Sequence, residues 1–383
     1  MRRIAPRLGL LSLAPLILAG CATTDASFDS VAHTQERMAE ALGDESARQV
    51  ELPFLLDDEL RALAEKKISR VGGERWRMDQ VLEVIFGDIE LTYELTPTRN
   101  AIDTHRTGKG NCLSFVNLLV GLAREARLNP FYVEVKDYQR WRYDRGAVVS
   151  HGHIVAGIYL DGEMSTFDFL PYRAKSYRDL QPIDDVQATA HHYNNLGAEA
   201  LLDGDQETAR GHLELAVRIA PAFAKAANNL GVLYLREGET DRAVETFEQA
   251  LQKTPDDVAL LANLARGYQL VGRDAEADAL LAKLDGVRHM SPFYFLYRGE
   301  ALLAAGDATQ ALELMAKALR NDSELPEVHV GLVKTYLALG EVDKARHHLG
   351  RALRLDATNQ EARRLAALIR PDGQTRPPPA STH

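Results

Sequence analysis

Cysteine is scarce in this chain: it has two among 383 residues, Cys21 and Cys112, so each needs its own explanation. A basic excess is also missing. Lys and Arg number 45 against 55 Asp and Glu, a formal charge of −10, and no Lys/Arg cluster stands out. A chain this acidic repels polyanions, which argues against a nucleic-acid partner. Metal-ligand spacing does not occur either. His191-His192 and His347-His348 are adjacent pairs inside helical stretches, expected on solvated faces, and neither a metal nor a cofactor is expected. No apolar run is long enough to cross a bilayer as a helix: the best stretch, residues 8–18, is short and is interrupted by Pro15. An apolar content of 45% and a length of 383 residues allow two folded domains with ordinary cores.

The N-terminus has the make-up of an export signal. Arg2, Arg3 and Arg7 form a positive start, the short apolar stretch follows, and Leu18-Ala19-Gly20-Cys21 closes it. That ending resembles the lipobox of bacterial lipoproteins. The resemblance implies removal of residues 1–20, lipid attachment at Cys21 and a membrane anchor there. With Ala22 after the cysteine, it further implies an outer-membrane lipoprotein facing the periplasm. Losing three arginines and no acid moves the formal charge from −10 to −13. In such an oxidising compartment Cys112 is the one thiol left, either buried and inert or kept for its reactivity.

From residue 190 onward the chain repeats at a period of 34. Gly204, Gly238, Gly272, Gly306 and Gly340 keep that spacing, as do Ala209, Ala243, Ala277, Ala311 and Ala345. Large residues follow at Leu213, Phe247, Leu281, Met315 and Leu349. Small positions let two helices approach, large ones fill the gap, and the glycine permits the turn between them. The pattern resembles the tetratricopeptide (TPR) repeat and predicts an all-α solenoid of five repeats over 186–357. A capping helix is expected at 358–370 and a disordered tail at 371–383. Asn195, Asn229 and Asn263 recur at one position of the first helix, either as a solvated polar face or lining the groove for a protein or peptide partner that the TPR resemblance implies.

Between anchor and repeats, residues 21–50 read as a tether with one helix at 33–42, and residues 51–185 as a second domain. Apolar spacing predicts two amphipathic helices around residues 60–68 and 78–85, then a short strand at 89–95. In Gly108-Lys109-Gly110-Asn111-Cys112-Leu113-Ser114-Phe115 two glycines precede a buried helix at 113–126. Cys112 therefore falls at its first turn, where free backbone amides and the helix dipole favour a thiolate. Strands follow at 131–135, 153–160 and 164–169, the last two joined at Asp161-Gly162.

A cysteine at a helix start, then a strand opening with histidine and another ending with aspartate, resembles the transglutaminase-like fold, which is related to papain-type cysteine peptidases. The resemblance implies an α+β domain with Cys112 as nucleophile, His153 as base and Asp168 as the carboxylate that orients it. His151 competes for the base position, and the spacing to Asp161-Gly162 favours His153. Two positions depart from the family pattern: Val155 stands where an aromatic residue is common, and Phe169 where a proline often follows the aspartate. Two classes of function are expected on these grounds, an enzyme, whose forms include a peptidase acting on cell-wall peptides, and an adaptor. One is an anchored envelope enzyme that cleaves or transfers an acyl group through a thioester, with the repeats recruiting its target. The alternative is a non-catalytic TPR lipoprotein that tethers envelope enzymes and uses the other domain as a scaffold.

Overall fold

The computed structural model of the protein describes residues 31–144, 147–170, 177, 179–286, 292–357 and 359–369. Cys21, the expected export signal and the expected tail at 371–383 lie outside the described residues. Four helices come first: α1 (Val31–Leu42), α2 (Asp44–Gln49), α3 (Asp58–Lys67) and α4 (Glu74–Glu83), the last running into a π-helical turn at Val84–Asp88. Then come β1 (Thr92–Tyr93), α5 (Ala101–Thr107), β2 (Lys109–Gly110) and α6 (Cys112–Glu125). The larger strands are β3 (Pro130–Asp144), β4 (Ala147–Leu160), β5 (Glu163–Phe167) and β6 (Leu180–Ile183).

Helix α6 is the centre of the N-terminal core. Every residue from Leu113 to Ala123 is buried, so the helix is enclosed around its whole circumference, as a central helix must be. Residues of α1, α3 and α4 (Met38, Leu60, Met78) surround it, together with Tyr132 and Ile158 from the sheet. Tyr132 donates its hydroxyl proton to Asn117 Oδ1 at 3.0 Å, which satisfies the one amide buried mid-helix. Gly121 is required by the packing, because a Cβ there would lie 2.5 Å from the Phe54 carbonyl oxygen.

The sheet runs β5-β4-β3-β6, with β5 and β6 each antiparallel to its neighbour. Asp161 (φ 54°) and Gly162 (φ 85°) make the expected two-residue turn. Strands β3 and β4 are longer than sequence alternation indicates, and β6 gives no alternating signal at all. β6 carries Pro182, which an edge strand tolerates and an inner strand does not.

The repeat helices are α7 (Asp185–Asp203), α8 (Gln206–Ile219), α9 (Ala224–Glu237), α10 (Thr240–Lys253), α11 (Val258–Leu270), α12 (Asp274–Gly286), α13 (Pro292–Ala304), α14 (Ala308–Asn321), α15 (Pro326–Ala338) and α16 (Val342–Leu355), followed by α17 (Gln360–Leu368). The glycines 34 apart all have φ between 77° and 89°, the left-handed conformation that ends each first helix. Gly197 of α7 meets Leu213 of α8, where a Cβ would sit 2.6 Å from Leu213 Cγ. Helix α17 buries Ala362 and Leu365 against Val330, Val333 and Leu349.

Contacts divide the chain into two compact units. Among the described residues, one runs up to Tyr138 and from His151 to Leu233, and the other takes in those between Gln139 and Ser150 and those from Tyr234 onward. The division falls inside α9, so the first repeat groups with the N-terminal core and not with the later repeats. Asp185, at the start of α7, explains much of this: both of its oxygens accept from Arg124 of α6 at 2.8 Å, and it also accepts from Thr34 of α1.

Candidate functional site

Cys112 is the first residue of α6 and is half-buried. What precedes it is tightly fixed. Strand β2 pairs in parallel with β1, and the Gly110 carbonyl accepts from Glu94 N at 2.9 Å. A Cβ on Gly110 would lie 2.5 Å from Ser114 Cβ, so only glycine allows the chain to turn this closely into the helix. Asn111 caps the helix, accepting from Ser114 N and Ser114 Oγ, both at 3.0 Å. Its amide nitrogen donates to Thr98 Oγ1 at 2.7 Å and to the Leu95 carbonyl at 3.3 Å.

The structure brings His153 and Asp168 to this cysteine. His153 Nε2 lies 3.2 Å from both carboxylate oxygens of Asp168, and the ring is also hydrogen-bonded to the Cys112 side chain. Burial of the 2%-exposed His153 opposes its charge, but hydrogen bonds to Asp168 and Cys112 outweigh that and raise the ring to about 10. Burial likewise works against the Asp168 carboxylate, and its bonds to His153, Tyr177 and the Leu170 amide turn the balance, so its pKa is lowered. An imidazole held at Nε2 by a carboxylate and bonded to a thiol is the geometry that activates a sulfur nucleophile. His151 also lies in β4, but its side chain is outside the description.

Three side chains at this place escape sequence reasoning. Tyr177 donates its hydroxyl to Asp168 and lies 3.0 Å from His153 Nε2. Thr98 accepts from Asn111 and passes its own proton to Glu199 Oε1 at 2.7 Å, while its backbone N–H lies 2.9 and 3.0 Å from the two Glu199 oxygens. Glu199 belongs to α7. Burial raises its pKa to about 7, against the lowering effect of the Thr98 bonds. A signal for Glu199 exists in the period of 34. The equivalent positions are Leu233, Gly267, Ala301 and Thr335, so a carboxylate breaks a position otherwise apolar or small.

The recurring asparagines are buried: Asn195 is 9% exposed, Asn229 0% and Asn263 1%. Asn229 donates to Asn194 Oδ1 at 2.9 Å. Close by in sequence, Lys225 pairs with Glu134 of β3, and the His191 ring lies 4.0 Å from the same carboxylate. This corrects one sequence expectation. His191 and His192 are buried, not solvated, and burial depresses each to about 3, because their helix faces the core. His347 is exposed, whereas His348 is half-buried with its Nδ1 2.9 Å from that of His329. Among the described residues no three His, Cys, Asp or Glu form a metal-binding group, and no helix is long and apolar enough to cross a membrane.

Tetratricopeptide repeat family profiles match residues 194–258, 234–292 and 302–369. The C-terminal part of the chain is a TPR array, an all-helical solenoid-like fold. Among curated proteins the chain is similar to the Photosystem I assembly protein Ycf3 of Synechococcus sp. strain CC9311, 30% identical over 110 residues, or 28% of this chain and 64% of that protein. The Ycf3 of strain CC9605 is 31% identical over 100 residues, covering 25% of this chain and 58% of the relative. The chain thus spans less than two thirds of these relatives. A solved thermophilic TPR protein of Thermus thermophilus is 22% identical with a TM-score of 0.38, over 46% of this chain and 97% of that one.

Proposed function

We propose that this protein is an adaptor whose TPR array binds a protein partner and brings it to the bacterial cell envelope. The observation that carries this reading is the array itself: helix pairs with a left-handed glycine turn every 34 residues, matched by TPR profiles over residues 194–292 and 302–369. TPR repeats bind peptides or proteins, and the Ycf3 relatives are named for assembly, which supports an assembly role. In this reading Cys21 carries the lipid and the protein faces the periplasm from the outer membrane.

The test is selective cross-linking of the full-length protein in the envelope. Lys334 of α15, paired with Glu300 of α13 and Glu361 of α17, is the probe of the array. A partner captured by wild type and by Cys112→Ala, and lost in Lys334→Glu, supports the adaptor. A capture that needs Cys112, or one indifferent to the array, overturns it. For the anchor, fatty-acid labelling must vanish in Cys21→Ser.

One observation favours a second reading for residues 51–185, the hydrogen-bonded Cys112, His153 and Asp168. In it the domain is transglutaminase-like and performs acyl transfer. The Cys112 thiolate adds to an amide carbonyl, His153 delivers a proton to the departing amine, and Asp168 holds the imidazole. Water or another amine then attacks the thioester, giving its proton to His153, and the thiolate leaves. Labelling of Cys112 in the purified protein by an electrophilic probe at neutral pH, abolished in His153→Ala, supports this. Labelling only after denaturation overturns it.

A further inference from the structure

We propose that Glu199 is a positioning residue for the Cys112 site, fixing the turn that carries the thiol from the first repeat helix through Thr98 and Asn111. The inference rests on the acyl-transfer reading above. Its basis is a directional hydrogen-bond relay. Asn111 Nδ2 donates to Thr98 Oγ1 at 2.7 Å, and Thr98 Oγ1 donates to Glu199 Oε1 at 2.7 Å. The Thr98 amide adds a second hold on the same carboxylate, at 2.9 and 3.0 Å. Because both Thr98 donors are spent on Glu199, the threonine hydroxyl has its lone pairs left for Asn111, which fixes the direction of the whole chain.

The far end of the relay is the helix cap. Asn111 has its amide nitrogen toward Thr98, which turns its carbonyl oxygen onto Ser114 N and Oγ at 3.0 Å. Ser114 Oγ in turn accepts from Arg99 N at 2.8 Å, so the loop bearing Thr98 is tied to α6 twice. Thr98 is 3% exposed, Asn111 6% and Ser114 0%, and a break in the relay leaves a buried polar group unmatched. Cys112 directly follows Asn111, so the placement of the sulfur toward His153 depends on this cap.

Glu199 is also an exception within its own repeat class. A packing role alone is met elsewhere by Leu233, Gly267, Ala301 and Thr335. A carboxylate at this position matches two donors that no other repeat meets. The first repeat therefore does more than begin the solenoid: it supplies one wall of the site's support.

The experiment uses the full chain and measures the rate of Cys112 alkylation by iodoacetamide between pH 6 and pH 9, with circular dichroism to establish folding. In Glu199→Gln the amide retains one acceptor but presents a donor to Thr98. The expected result is a rate at pH 9 about tenfold lower, within the hundredfold that a 1 Å misplacement produces, and a larger ratio of the pH 6 rate to the pH 9 rate, because at pH 6 the wild-type carboxyl also carries a proton. Thr98→Val, which removes the hydroxyl from the other end, should behave alike, and Thr98→Ser should restore the wild-type profile. A purely structural role would lower the melting temperature and leave that ratio unchanged. Folded Glu199→Gln and Thr98→Val proteins with the wild-type profile, alongside a slow His153→Ala, overturn the inference and leave the acyl-transfer reading standing. An ordinary thiol profile in wild type, indifferent to His153→Ala, overturns both.

Discussion

The first and last repeats share a period and differ in what that period holds. In the last repeat, Thr335 of α15 satisfies its hydroxyl on the Gly331 carbonyl of its own helix, and the outer apolar face is closed by α17. In the first, the equivalent Glu199 reaches out of the repeat to Thr98, Asp185 reaches Arg124, and His191 lies against Glu134. The shared residues build the helix pair. Departures from the period mark where a repeat has been recruited to other work.

Removing the same large residue from both repeats should separate their roles most strongly. Leu213 and Leu349 occupy one repeat position, at 0% and 8% exposure. Leu→Ala at either should destabilise by about 2–5 kcal/mol. Leu213→Ala should also slow Cys112 alkylation, whereas Leu349→Ala should only loosen the C-terminal end. Denaturant melts read with the alkylation assay check this, and equal effects on the thiol would erase the distinction between the repeats.

Next in size is His153→Ala, which should lower Cys112 alkylation below neutral pH by about a hundredfold, the lower end of what a positioned base contributes. The histidine also gives a stability signature. Its pKa is raised from 6.5 to about 10 in the fold, so the stabilisation from its proton is fully present below pH 6.5 and is lost as pH rises through about 10. Wild type should thus lose its melting advantage over His153→Gln across that window. A constant difference would mean that the ring is neutral in the native state.

A smaller effect probes what the two repeats have in common. Gly204 and Gly340 have φ of 89° and 77°. Alanine at either should cost about 1–2 kcal/mol, because the left-handed conformation brings its Cβ against the carbonyl. Nothing within 4 Å obstructs a Cβ at Gly340, so there the penalty is backbone strain alone. Thermal melts that are unchanged in Gly340→Ala would show that the turn adjusts.

Legibility followed the locality of the signal. Helix pairs and the 34-residue turns could be read because period and glycine chemistry act over a few residues. Cys112 could be placed at a helix start because Gly110 and Asn111 lie beside it. Its meeting with His153 and Asp168 came from resemblance, since a strand pairing such as Ala156 with Phe167 is not written in either segment. Strand β6 was missed because an edge strand with Pro182 needs no alternation. Tyr177 and Thr98 had no local pattern to reveal them. Glu199 did have one, visible only by asking which residue fails to fit the repeat.

That misfit yields the smallest predicted effect. Burial raises the Glu199 carboxyl from 4.5 to about 7, with Asp203 adding to the rise while the Thr98 bonds and Arg99 oppose it. A folded-state pKa above the unfolded one means that the proton stabilises the fold. This contribution is complete below pH 4.5 and is lost as pH rises through about 7. Glu199→Gln removes the titration, so the difference in melting temperature between wild type and variant should shift against wild type between pH 5 and pH 8. The expected shift is roughly 2 °C, the order that 1 kcal/mol gives a domain of this size. Thr335→Val in the last repeat should show no such pH dependence, since no ionisable group is exchanged there. A Glu199→Gln difference that is flat over pH 5–8 would mean the carboxylate stays charged when buried. The Thr98 donors alone would then be holding it, and the first repeat would lack the neutral-pH titration that distinguishes it from the last.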